Sequence, residues 1–351
     1  MPRNPHPSFP GRGKGFDSCA AERLGEAQHP TNDGVNRYNC VVYGATKMLS
    51  NARIGLYLAP VWFAAAAMVA SCGGDTEPLD DTGSPDDAST PLLFVSDRDG
   101  ADDIYSVDVG AGVVVRLTND PGHDVEPAWA PNGDRIACRS DRDGDWEIYL
   151  MDPDGGSVER VTDDPARDTS PAWSPDGSLI AFVSDRDGNP DVYVVDIASR
   201  EVRRITHHAS TDESPSWSPD GLQLAFASER DGGHGVYRMD ADGGNPVWLT
   251  DEANPSIQPA WSPNGGRIAF TSMRDDNADI YVMDADGGAV QRLTDDPATD
   301  WEPTWAPDGR RIAFRSERGG DWDIYTVDVV SGVVTQVTTD PARDANPAWA
   351  P

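Results

Sequence analysis

Six tryptophans stand 44 residues apart: Trp129, Trp173, Trp217, Trp261, Trp305 and Trp349. Each has a proline two residues before it and another two residues after it, as in Pro171-Ala-Trp-Ser-Pro-Asp-Gly177. A fixed period of this length is the mark of a solenoid, a propeller or an array, because each unit can bury its apolar face only against the next. It constrains the fold more than any other feature of the chain.

Other columns keep the same register. A serine followed by Asp, Glu or Met and then Arg begins at Ser96, Ser140, Ser184, Ser228, Ser272 and Ser316. Tyrosine recurs from Tyr105 to Tyr325, aspartate from Asp108 to Asp328, and threonine from Thr118 to Thr338. Short apolar stretches such as Leu179–Val183, Val192–Ile197 and Val202–Thr206 lie between Gly, Pro, Asn and Asp turn signals, which predicts strands. With the tryptophan segment they make four strands per repeat, here named a (tryptophan), b, c and d. Four short strands at this period predict an all-β propeller. Six whole repeats fill residues 88–351, starting in a strand b and ending in a strand a. The expected fold is therefore a six-bladed β-propeller, closed by the C-terminal strand around Trp349 joining the N-terminal blade. The prolines of strand a suit an edge facing the central channel, where no donor is needed.

At this point the sequence resembles a known family. Pro-x-Trp-Ser-Pro-Asp-Gly, Ile-Ala-Phe-x-Ser-x-Arg, Ile-Tyr-x-Met-Asp and Arg-Leu-Thr are similar to the WD40-like (PD40) repeats of the TolB propeller family, throughout residues 88–351. The resemblance implies the propeller fold and an extracytoplasmic binding role. TolB itself carries an α/β domain ahead of its propeller, whereas this chain has a different N-terminal region, so membership of the Tol–Pal machinery does not follow.

Four segments are expected. Residues 1–47 show no periodicity and are expected to lie outside the natural protein, with Met48 as its start. Residues 48–71 hold Arg53, an apolar run from Ile54 to Ala70 and small residues, the pattern of an export signal. The run contains Pro60 and sits at the lower limit for a membrane span. Val69-Ala70-Ser71-Cys72 resembles a lipoprotein signal, which implies acylation of Cys72, and Gly73 after it implies transfer to the outer membrane, facing the periplasm. Residues 72–90 are acidic and small, a flexible tether, and residues 91–351 form the propeller. Cys19 and Cys40 precede Met48, Cys72 is the lipid site, and Cys138 replaces the phenylalanine of the other repeats, so it is expected in the core with no disulfide.

A formal net charge of −32 argues against nucleic acid, whose phosphates need clustered Lys and Arg. The Trp and Tyr columns are expected to pack between blades, and the Arg column to pair with neighbouring carboxylates. The loop from Asp141 to Glu147 partly resembles a calcium loop, but an arginine occupies its middle; turn structure is the preferred reading, calcium the alternative. No other cofactor is expected. Function is sought where repeats disagree, on the face carrying the b–c and d–a loops. Trp146, Trp301 and Trp322 are candidate binding residues there, expected in loops. His207, His208 and His234 lie on the same face without metal-ligand spacing. There is no nucleophile elbow, phosphate loop or His-Glu-x-x-His. These features predict a monomeric, non-catalytic module that binds envelope proteins and meets the membrane only through its anchor. Two other readings stay open: a glycan binder using the three tryptophans, and a lyase or hydrolase built on the histidines.

Overall fold

The computed structural model describes residues 90–250 and 254–351, which form 24 strands in six four-stranded antiparallel sheets. The leader, Cys72 and nearly all of the tether fall outside the described residues. Blade 3 is representative. Its strands are Asp168–Trp173 (a), Leu179–Ser184 (b), Asp191–Asp196 (c) and Val202–Arg204 (d). Strands b and c pair over their full length, with Tyr193 opposite Phe182. Their rings lie 5.8 Å apart. This is how a period-two pattern becomes a blade: alternate residues of b and c go to opposite faces of the sheet, and each face meets a different neighbour.

The core therefore lies between blades. Ala137, Ile148 and Leu150 of blade 2 pack with Ile180, Phe182, Tyr193 and Val195 of blade 3 in one buried cluster, and five similar clusters complete the ring. Cys138 is a free, fully buried thiol in the phenylalanine position of blade 2.

The strands a of neighbouring blades touch one another around the ring, so they line the channel. Each carries a β-bulge at the residue before its first proline. That residue is Glu126, Ser170, Ser214, Gln258, Glu302 or Asn346, all with positive φ and none of them glycine. A left-handed conformation costs a non-glycine residue about 1–2 kcal/mol, and neighbouring blades compensate. The carboxylate of Glu126 accepts the Ser170 amide at 2.6 Å, Gln258 accepts that of Glu302 at 3.1 Å, and Glu302 accepts that of Asn346 at 2.7 Å. Tryptophan indoles add a second set of ties: Trp173, Trp217 and Trp305 donate to the carbonyls of Ala128, Ala172 and Ala260 in the preceding blade.

Blade 1 is made from both ends of the propeller. Pro91–Ser96, Asp103–Asp108 and Val114–Arg116 supply b, c and d, and Asp344–Trp349 supplies a. Leu92 pairs with Trp349 and Ser96 with Asp344, while the Ala350 amide donates to the Pro91 carbonyl at 2.9 Å. The expected closure is present, and no blade is left incomplete.

Candidate functional site

The repeated polar columns are used by the blades themselves. In blade 2, Asp124 opens strand a (Asp124–Trp129), Ser140 ends strand b (Ile136–Ser140), and Arg142 follows in the b–c loop. The Arg142 guanidinium donates to Asp124 at 2.6 Å and lies over the Tyr149 ring at 4.9 Å. Arg98–Asp344, Arg186–Asp168, Arg230–Asp212 and Arg318–Asp300 repeat the pair at 2.7–3.0 Å. All five aspartates are fully buried. Burial pushes Asp124 up to about 6 against the opposing pull of Ser140 and Arg142, and it also raises Asp168 and Asp344. The loop read as calcium-like uses its carboxylates locally. Asp141 accepts the His123 amide at 2.7 Å, Asp143 accepts the Tyr149 hydroxyl at 2.6 Å, and Glu147 pairs with Arg160 and Thr162. Among the described residues no three His, Cys, Asp or Glu side chains are grouped to hold a metal ion.

The departures cluster on the face of the b–c and d–a loops. Trp146 and Trp322 occupy one column, just before strand c of blades 2 and 6, and both are half-buried. Each indole lies against a guanidinium: Arg139 is 4.4 Å from the Trp146 ring and Arg315 is 4.7 Å from that of Trp322. Those arginines reach inward to Glu126 at 3.4 Å and Glu302 at 3.5 Å. The same position of strand b is Val95, Val183, Ala227 or Thr271 in the other blades. Thus Glu, Arg and Trp occur together in blades 2 and 6 and in no other blade. The arginines and glutamates were not singled out from sequence, although the joint change of three columns carried the signal.

Trp301 was expected in a loop. It is instead the second residue of strand a of blade 6 (Asp300–Trp305), opposite Arg315. The segment reads as a loop because its bulge takes a polar residue and a proline, Glu302-Pro303. Trp301 borders an open cleft of about 290 Å³, shared with Met273, Asp276, Asn277, Ala278 and Thr299. Met273 is 40% exposed. It stands where the other five blades have Asp97, Asp141, Asp185, Glu229 and Glu317. The exchange has a local reason. In blades 1, 2 and 3 that acid accepts a d–a loop amide, from Arg343, His123 and Arg167. Blade 5 has Pro255 there, which has no N–H to offer a carboxylate, while the Met273 amide donates to the Pro255 carbonyl at 3.0 Å, as the Glu229 amide does to that of Thr211 at 3.1 Å. Asp276 keeps a φ of 62° where the other blades use glycine. The Asn277 amide fixes the cleft wall by donating to the carbonyls of Asp296 and Ala298 at 2.8 and 2.9 Å.

The histidines make separate contacts. His234 meets Glu229 at 3.0 Å. Beside them, burial raises the carboxyl of Glu213, with His234 opposing and Glu229 adding to the shift. The His208 ring accepts the Ser210 amide at 3.2 Å, and His207 is exposed.

The fold and its repeats define a closed six-bladed propeller whose repeated polar columns are used within and between its blades. The chain belongs to the TolB beta propeller domain (PD40) family, whose profile matches residues 82–168, 164–255 and 251–351. Among solved structures it is similar to TolB from Acinetobacter baumannii, with 24% identity, a TM-score of 0.68, and coverage of 76% of this chain and 67% of that one. A putative TolB from Agrobacterium tumefaciens shares 22% identity with a TM-score of 0.61, over 75% of this chain and all of that one. Kuenenia stuttgartiensis hydrazine synthase gives 17% identity and a TM-score of 0.63, over 75% of this chain and 46% of that one. At these identities the likeness is one of fold. No functionally curated protein matches the chain in sequence.

Proposed function

We propose that the protein is a lipid-anchored, non-catalytic binding module of the bacterial cell envelope, with a protein segment as its ligand. The observation that carries this reading is the cleft between Met273 and Trp301: an opening of mixed lining, in which Met273, Ala278 and Trp301 supply apolar surface beside Asp276, Thr299 and a fixed Asn277. Its volume suits one or two apolar side chains of an extended peptide, and a half-buried tryptophan at its edge is the kind of anchor that concentrates binding energy. Glycan stacking is the weaker reading, since Trp146 and Trp322 each have one ring face against a guanidinium.

A photo-crosslinking residue at Met273, carried by the full chain in its own host, tests the proposal. A discrete protein adduct is expected, reduced about tenfold or more by Trp301→Ala, in keeping with the loss of an interface anchor, and little changed by Trp146→Ala. Absence of any protein adduct, with glycan binding that disappears in Trp301→Ala, would overturn it. Incorporation of labelled palmitate at Cys72, together with accumulation of the uncleaved, labelled precursor under globomycin, tests the anchor.

A further inference from the structure

Two of the six c–d hairpins differ in kind from the rest. In blade 1 the segment after Asp108 reads Val-Gly-Ala-Gly-Val-Val-Val, and in blade 6 the segment after Asp328 reads Val-Val-Ser-Gly-Val-Val-Thr. Neither has a charge. The corresponding hairpins of blades 2, 3, 4 and 5 carry Asp154, Glu201, Asp242 and Asp286. The valines are open to solvent: Val330 is 83% exposed, Val333 61%, Val113 58% and Val115 51%. Both turns are held in shape by an aspartate. Asp108 accepts the amides of Gly110 and Ala111, and Asp328 those of Val330 and Ser331, at 2.7–3.0 Å. Exposed apolar tips on rigid hairpins of two adjacent blades need a partner, and their position says which.

Strand b of blade 1 starts at Pro91, and Pro91 pairs with Asp108, the residue that opens the blade 1 hairpin. The chain coming from Cys72 therefore enters the propeller on the face of the c–d hairpins, beside the valines. Thr90 stands 18 positions after Cys72. At most ~60 Å of chain spans that interval when fully extended, and roughly 25 Å is its typical span as a flexible coil. A lipid on Cys72 thus keeps this face within about 60 Å of the bilayer and at high effective concentration towards it. Arg310, which flanks the blade 6 hairpin, is 73% exposed and pairs with Asp328 at 3.6 Å.

We propose that the valine tips of blades 1 and 6 rest on the lipid headgroup and acyl boundary of the membrane holding Cys72. The propeller then stands with its hairpin face down, and the cleft of Met273 and Trp301 opens away from the bilayer. This rests on the acylation reading of Cys72. The lipid supplies the retention, and the apolar tips add a weak contact that orients the propeller on the bilayer.

The test uses single cysteines at Val113→Cys and Val330→Cys, with Ser199→Cys in the blade 3 hairpin as the control. The full-length protein is probed in its host membranes with a membrane-impermeant maleimide, and again after solubilisation in detergent. Cys138 is fully buried and stays silent. Mass spectrometry of the purified protein reports acylation of Cys72 independently. The expected result is about tenfold slower labelling at positions 113 and 330 in membranes than in detergent, as for side chains seated in a lipid interface, and less than a twofold change at 199. Acylated Cys72 with equal labelling at all three positions overturns the docking alone. A Cys72 without acyl chains overturns the docking and the anchor together. Protection that survives solubilisation means a protein covers the hairpins and overturns the lipid assignment.

Discussion

Blade 4 offers a test of how its residues depend on one another. Blades 1, 3 and 5 open strand c with a buried aspartate that takes an arginine from strand d: Asp103–Arg116, Asp191–Arg204 and Asp279–Arg292, at 2.6–2.7 Å. Blade 4 has Gly235 and Trp248 at these positions. The indole lies on Tyr237, with ring centroids 5.8 Å apart and planes within 10°, and donates to Thr250 at 3.2 Å. A Cβ at Gly235 would come within 2.3 Å of the indole nitrogen. Gly235→Asp alone is therefore expected to cost about 2 kcal/mol from overpacking and an unpaired carboxylate. Trp248→Arg alone loses a ring stack and leaves a hole, again about 2 kcal/mol. The double substitution installs the pair of blade 3, with Thr250 playing the part of Thr206, and should cost about 1 kcal/mol or less. The coupling is then about 3 kcal/mol. In urea unfolding each single variant should lose roughly 0.5–1 M of midpoint, for a slope near 3 kcal/mol/M, and the double variant should recover most of it. A double variant as unstable as the two singles added together would refute the reasoning.

Trp349→Ala should destabilise the ring by about 3–5 kcal/mol, since Trp349 pairs with Leu92 in the closing strand and packs in the cluster between blades 6 and 1; thermal unfolding measures it, and a loss below 1 kcal/mol would contradict the clasp. Arg186→Met strands the buried Asp168 and should cost about 3–5 kcal/mol, well above Asp168→Asn, which keeps a neutral hydrogen-bonding group; equal losses would show that burial of the aspartate is unimportant. Acidification should not weaken the fold between pH 7 and 5. Asp124 and Asp279 are both raised by burial to about 6, so their stabilising contribution is fully present below the unfolded value near 4 and is lost as pH rises through 6. A melting temperature higher at pH 5 than at pH 7.5 is expected, and a lower one refutes the assignment.

The architecture was legible because a strict period makes register visible: once Trp129 and Trp349 share a column, blade number and closure follow from counting. The Arg98–Asp344 type of pair and the buried Cys138 were legible for the same reason. What repeats could not announce was side-chain direction. Trp146 looked like a free anchor because its cover, Arg139, lies seven residues away on the adjacent strand, and only pleating brings them together. Trp301 looked like a loop residue because a bulged strand with a positive φ at Glu302 takes the residues of a turn. Gly235 and Trp248 did not stand out in the sequence, because each explains the other only through a volume exchange that spans two strands.

The clasp has a kinetic consequence. Arg98 and Asp344, which bond across the seam, are separated by 246 positions in sequence. Every other a–b pairing closes within a few residues, so five blades can form as local hairpins while the sixth waits for the most distant meeting in the domain. Until then Pro91–Ser96 presents five buried-type side chains and an unpaired edge to whatever surrounds it. Ring closure is thus the expected slow phase of folding, and that open strand is the place where a half-made molecule would seize a second copy or a chaperone.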